Sequence, residues 1–171
     1  MANVVLDPVL KSSSGAMLLD NAGIRFLRER LLSLADVITP NLQEAEQLTG
    51  VPVRTLSEMR VAAHKLHRLG ARNVVITGGN LDQPTDLLSV DGEEPQEFLG
   101  EHITTDSTHG TGCAFASAIA CNLALGQPMA GSVRSAKEYV SQALRQAYRV
   151  GKGKGPINHL FRLDYQKRLR R

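Results

Sequence analysis

Apolar residues gather in three short runs in the first half of the chain. Residues 3–7 (Asn-Val-Val-Leu-Asp), 36–39 (Asp-Val-Ile-Thr) and 73–77 (Asn-Val-Val-Ile-Thr) are apolar without alternation, the pattern of strands buried on both faces. The first stops at Pro8, which cannot donate to a ladder, and the third at Gly78-Gly79. Between the runs the period becomes helical. Over roughly 21–34, Ile24, Leu27, Leu31 and Leu34 recur at helical spacing, with Arg25, Arg28 and Arg30 between them and Asp20 as the cap. A short helix over Leu42–Leu48 ends at Gly50. Another starts at Ser57 and carries Met59, Ala62, Ala63, Leu66 and Leu69 on one stripe closed by Gly70. Apolar strands alternating with helices predict the α/β class, with helices on both faces of a mostly parallel central sheet. Further on, Thr85–Val90 and Gln96–Leu99 flank Asp91-Gly92, the signature of a hairpin. Two helices follow, over roughly Gly112–Leu125 and Ser132–Arg149, the second with Ala136, Val140, Ala143, Leu144 and Ala147 on one side. No internal repeat or Pro/Gly/Ser linker divides the chain.

Composition narrows the class. The 171 residues suffice for one core, since a domain of about 150 residues buries about 68–70% of the surface its unfolded chain exposes. With 42% apolar and 22% charged residues, wholesale disorder, collagen-like and disulfide-scaffold classes are excluded. No apolar run approaches the ~20 residues of a membrane-spanning helix, and the first residues do not read as a signal peptide. A cytoplasmic location is expected, with no membrane partner. The two cysteines, Cys113 and Cys121, then read as reduced thiols. The net charge of +3 is uneven: residues 149–171 hold eight Lys/Arg against Asp164 alone, leaving 12 positive and 16 negative elsewhere. That segment has little aromatic interleaving and no nucleic-acid motif. Residues 164–171 therefore read as a solvated basic tail rather than a nucleic-acid arm.

Candidate chemistry concentrates in the segment from Asp106 to Cys121, Asp-Ser-Thr-His-Gly-Thr-Gly-Cys-Ala-Phe-Ala-Ser-Ala-Ile-Ala-Cys. Gly110 and Gly112 let a ligand approach the backbone, and a small-residue helix begins there with its unpaired N–H groups facing the turn. Phosphate is the natural guest of such a turn. Cys113 falls in the first helical turn, where the helix dipole would lower its pKa and set a nucleophile, base or hydrogen-bonding group beside the anion. The alternative is a glycine turn feeding a packed core helix with an inert Cys, and spacing alone does not separate the two. Residues 38–46 follow the second strand, at the carboxyl end where open α/β sheets bind ligands. There Asn41 could hydrogen-bond a phosphate and Glu44 could hold Mg²⁺ directly or through water. Equally, Asn41 and Glu44 could form a capping box, and both roles are compatible. Asp7-Pro8-Val9 and Thr77-Gly78-Gly79-Asn80 end the first and third strands at the same edge, so four loops are expected to converge on one crevice.

These segments resemble a known family. His109-Gly-Thr-Gly-Cys113, Thr39-Pro-Asn-Leu-Gln-Glu-Ala-Glu46, Val5-Leu-Asp-Pro-Val-Leu10 with Ser14-Gly15, and Gly155-Pro-Ile-Asn-His-Leu160 are similar to the hydroxymethylpyrimidine/phosphomethylpyrimidine kinases of thiamine biosynthesis, within the ribokinase-like three-layer α/β/α fold. The match runs in order from residue 3 to about 163. It implies ATP-dependent phosphorylation of 4-amino-5-hydroxymethyl-2-methylpyrimidine and then of its monophosphate. Carried over, Gly110, Thr111, Gly112 and Cys113 would form the anion hole, with Cys113 beside the accepting hydroxyl. Asn41 and Glu44 would organise ATP and Mg²⁺, with Glu44 as the metal residue, and Thr77, Gly79 and His109 would complete the nucleotide site. Val9 would touch the pyrimidine and Asp7 would line the crevice. Certain pyridoxal kinases share the Cys form of the motif, and a non-catalytic nucleotide-binding homologue is a further alternative.

Two departures stand out. Thr77-Gly78-Gly79-Asn80 occupies the place of the family's Lys-Gly-Gly-His, so a cation near the phosphates is missing, with Lys11 a distant substitute. Family members are also longer, so the chain is expected to be the carboxyl-terminal two-thirds of the domain over 1–163, without its N-terminal part. A strand starting at residue 3 with an open edge leads us to expect a homo-oligomer.

Overall fold

The computed structural model describes residues 3–12 and 15–163; the basic tail lies outside them. Five strands form one sheet in the order β1 (Val5–Leu6), β2 (Val37–Ile38), β3 (Asn73–Ile76), β4 (Thr85–Val90), β5 (Gln96–Leu99). β1, β2 and β3 pair parallel, and β3–β4–β5 continue antiparallel. The parallel part is what the apolar runs require, and the antiparallel part is the Asp91-Gly92 hairpin with the strand before it.

The sheet separates two cores because successive side chains point to opposite faces. Ile38, Val74, Ile76 and Leu87 face one side, where they meet α2 (Leu42–Thr49) and α3 (Leu56–Arg68) through Leu48, Met59 and Leu66. Val37, Val75, Leu88 and Phe98 face the other, against Phe115 and Ile119 of α4 (Thr111–Ala124) and Val133 and Ala136 of α5 (Met129–Arg145). The result is a three-layer α/β/α architecture. Each fully buried Leu, Ile or Met in it stabilises the fold by roughly 1.5–3 kcal/mol relative to an exposed one.

Both helices between β2 and β3 begin with reciprocal caps. Asn41 accepts from the Glu44 N–H at 3.0 Å while Glu44 accepts from the Asn41 N–H at 2.9 Å. Thr55 and Glu58 make the same box for α3, which starts at Leu56, one residue before the expected Ser57. α5 is displaced toward the N-terminus of its expected range, beginning after Pro128 and ending at Arg145.

The segment 21–34 departs from a uniform helix. Asp20 caps α1 (Asn21–Phe26) by accepting from Gly23 N–H at 2.7 Å. A π-helical turn, Leu27–Leu31, and a 3₁₀ turn, Leu32–Leu34, follow. The π turn puts residues five apart on one face, since the Leu32 N–H bonds the Leu27 carbonyl. Leu27 and Leu32 are therefore buried, while Leu34, expected on the stripe, is 69% exposed.

Candidate active site

The strand ends bring distant residues together. The Thr39 hydroxyl donates to Asp7 Oδ1 at 3.3 Å, joining the loops after β1 and β2. The Thr77 N–H donates to the Pro40 carbonyl at 3.0 Å, and Asn41 and Thr77 form a parallel bridge that joins the loops after β2 and β3. α4 begins at this edge. Its cap, Gly110, sits at φ +85°, a left-handed conformation that favours glycine. No side chain caps α4 and no acidic residue occupies its first turn, so the first-turn N–H groups lack the intrahelical partners that later ones have.

Two compartments meet at this turn. One is a cavity of about 560 Å³ whose walls include Asn41, Thr77, Gly79, Thr111 and Gly112. A Cβ added to Gly79 or Gly112 would meet nothing within 4 Å, so both glycines border open space. The other compartment is a cluster of Asp7, Glu44 and Cys113. The Cys113 thiol hydrogen-bonds the Asp7 carboxylate, and the charges of Asp7 and Glu44 bear on it. Val9 adjoins the cluster through its N–H bond to the Asp7 carbonyl. Asn41 belongs to both compartments, through the cavity wall and its capping box.

His109 is placed differently and does not line the cavity. Its N–H donates to the Gly155 carbonyl at 3.0 Å and its carbonyl accepts from Ile157 N–H at 3.3 Å. The late Gly155-Pro-Ile-Asn segment is thus a brace that holds the glycine turn from behind. Gly155 suits this brace because a Cβ there would collide with the Ser107 hydroxyl.

Electrostatics in the cluster oppose ionisation. Burial raises the Asp7 pKa despite hydrogen bonds from Cys113 and Thr39. Burial, reinforced by the Asp7 charge, lifts Glu44 from 4.5 to about 6, against the opposing bonds from the Asn41 and Leu10 backbone N–H groups. Cys113 is raised by burial, then by the Asp7 charge and hydrogen bond, then by Glu44. The helix terminus is expected to lower this thiol; burial first, and then the two nearby carboxylates, outweigh it.

Glu44 thus yields a pH prediction. It holds its proton more tightly folded than unfolded, so between pH about 4.5 and about 6 the folded state binds more protons and stability falls as pH rises. Glu44→Gln keeps the capping geometry and should flatten that fall. The expected difference is on the order of 1 kcal/mol, discounted for residual solvent access, and urea unfolding of the metal-free chain at pH 4.5 and 7 measures it.

One pair was not legible from the sequence. Lys137 of α5 reaches into the cavity and donates to Asp86 Oδ2 at 2.7 Å, while Asp86 Oδ1 accepts from Gly78 N–H at 3.0 Å. Lys137 is 51 residues from Asp86, and helical periodicity gave it no distinction from its exposed neighbours. Both residues line the cavity, so Lys137 brings it an ammonium group already paired with a carboxylate, whereas exposed Lys11 is absent from the lining. Lys137→Met should leave the Asp86 carboxylate with the Gly78 amide and Thr85 neighbourhood only, costing about 2 kcal/mol in urea unfolding at neutral pH.

The three layers, with a glycine turn at the carboxyl edge of the sheet, define a ribokinase-like α/β fold. A family model described as phosphomethylpyrimidine kinase matches residues 1–158. The chain is 46% identical over 160 residues to the thiamine biosynthesis bifunctional protein ThiED of Geobacter sulfurreducens, covering 92% of this chain and 32% of that protein. It is 40% identical over 163 residues to the hydroxymethylpyrimidine/phosphomethylpyrimidine kinase of Synechococcus elongatus, covering 93% of this chain and 61% of the relative. Among solved structures, an ADP complex of Bacillus subtilis pyridoxal kinase superposes with a TM-score of 0.84 at 38% identity, covering 95% and 62% of the two chains. The chain belongs to the phosphomethylpyrimidine kinase family. It spans about three-fifths of the length of the single-function relative and about a third of the bifunctional one.

Proposed function

We propose that the chain carries the phosphoryl-transfer half of a kinase that uses ATP to phosphorylate 4-amino-5-hydroxymethyl-2-methylpyrimidine and then its monophosphate. The observation that carries this reading is the uncapped Gly110–Cys113 turn, with an open cavity on one side and the Asp7–Cys113–Glu44 cluster on the other. Such a turn suits a phosphoryl group in transfer, because catalysis of this reaction rests on positioning and charge stabilisation.

In the proposed step, the acceptor hydroxymethyl oxygen forms a bond to the γ-phosphorus while the bond from that phosphorus to the β–γ bridging oxygen breaks, releasing ADP. The N–H groups of Thr111, Gly112 and Cys113 hold the charge on the transferred group. Cys113 Sγ orients the acceptor oxygen, and Asp7 takes its proton. The cavity is large enough for a nucleotide-sized ligand, and Lys137 and Asn41 offer it a cation and an amide. The residues also fit Mg²⁺: the buried Glu44 carboxylate, its pKa raised by burial and by the Asp7 charge, carries charge that a divalent cation would relieve. Among the described residues no set of three or more His, Cys, Asp or Glu could form a dedicated cage, as suits an ion held by one or two carboxylates, water and phosphate. Glu44 would hold it, and when bound it supplies charge neutralisation on the phosphate oxygens.

ADP release with the pyrimidine, its monophosphate and pyridoxal as separate acceptors tests the proposal. Turnover with both pyrimidines is expected. Turnover with pyridoxal alone would transfer the chain to the pyridoxal kinases, a reading favoured by the likeness to the Bacillus subtilis enzyme. ATP binding without turnover on any acceptor would make the chain a non-catalytic nucleotide-binding homologue.

A further inference from the structure

A second cavity lies away from the phosphoryl-transfer site. It has a volume of about 870 Å³ and shares no lining residue with the nucleotide cavity. Arg25 and Arg28 enter it from α1 and the π turn, and Arg68 from the last turn of α3. Glu29 is the one acid in its lining. None of the three arginines forms an ion pair or a side-chain hydrogen bond among the described residues, whereas Arg60, Arg72 and Arg145 each have a carboxylate partner. Ile24 and Leu69 give the same cavity an apolar wall.

We propose that this groove binds a small soluble organic phosphate or diphosphate, at a site separate from the phosphoryl-transfer crevice. Three guanidinium groups around one concavity repel each other and focus a positive potential there, which an anion relieves. The planar fork of Arg matches phosphate oxygens in bidentate geometry. The volume falls within the roughly 300–1,000 Å³ of small-molecule sites, and the apolar wall suits the organic part of the ligand. The π turn adds to the case. It interrupts the helix at the residues that supply Arg28 and Glu29 to the groove, and such insertions recur at functional sites.

Titration of the full chain with sodium pyrophosphate at fixed ionic strength, followed by amide chemical shifts, tests the site. The resonances of residues 24–31 and 68–69 should shift saturably, apart from any change at residues 109–115. Arg25→Gln combined with Arg28→Gln should weaken the groove response by roughly tenfold or more and leave the response at 109–115 unaltered. Arg68→Gln, on another helix, should weaken it independently, and Arg30→Gln, outside the lining, should leave it unchanged. Equal affinity in wild type and the arginine variants, or the same loss in Arg30→Gln, would overturn the proposal. So would groove shifts that arise only with phosphatidylglycerol vesicles or an acidic peptide.

Discussion

Replacing Cys113 with Ala should lower the rate of pyrimidine phosphorylation by roughly 100- to 1000-fold, the range typical for removing one oriented hydrogen-bonding group from a transition-state site. The thiol lies at the start of α4 beside the Asp7 carboxylate, where it can orient the acceptor oxygen. Cys113 is exposed, so its truncation leaves no cavity in either core and the melting temperature should stay within a degree or two of wild type, surface substitutions being worth about ±0.5 kcal/mol. Cys113→Ser keeps a donor and should recover part of the loss. Steady-state ADP release by the three proteins reads the effect directly. A rate unchanged in Cys113→Ala would remove the thiol from the site and leave the backbone N–H groups to act alone.

The second large effect falls on stability. Gly78→Ala should destabilise the fold by roughly 3–4 kcal/mol, at the upper end of what overpacking costs. A Cβ on Gly78 would lie inside the contact distance of the Thr85 carbonyl oxygen and against Leu81. Neither neighbour yields easily. Thr85 opens β4, and its N–H bonds back to the Gly78 carbonyl at 3.3 Å, so the two backbones are held together at the point where the added methyl would separate them. Moving Gly78 would also pull its N–H from Asp86 and loosen the Lys137 ion pair. Urea unfolding should show a lower midpoint with an unchanged slope. Gly79→Ala is the control, since its Cβ meets nothing within 4 Å, and its fold should be little affected. A Gly78→Ala protein as stable as wild type would show that the β3–β4 turn can open without cost.

Those two positions are adjacent glycines in one turn, and their difference shows where reading from the sequence succeeds and where it stops. Local rules carried most of the fold. Asp91-Gly92 between two β-rich runs located the hairpin to the residue, and Asn41 with Glu44 formed the capping box that their spacing allows. Apolar runs without alternation marked strands that face two cores. What local rules missed involves residues far apart in the chain. Asp7 is distant from Cys113 in sequence, so the reversal of the thiol's expected acidity became visible only when β1 and α4 met at the sheet edge. Lys137 and Asp86 have the same history. The π turn at Leu27–Leu31 was hidden for a different reason. Leu27, Leu31 and Leu34 fit an α-helical period, but packing selected Leu27 and Leu32, five apart, and the helix widened to bury both. Of the motif residues, His109 has a structural part that its place in a glycine-rich signature did not reveal. Its backbone anchors the brace at Gly155 and Ile157, outside the cavity lining.

The carboxylates around Cys113 also decide how this thiol meets oxidants. A cysteine at a helix N-terminus in partial contact with solvent would ordinarily be a site of sulfenic acid formation, because attack on peroxide requires the thiolate. Here burial, Asp7 and Glu44 keep the sulfur protonated above the usual range for the group. The same surroundings therefore leave less thiolate for attack on peroxide than a helix N-terminus alone would give this exposed cysteine.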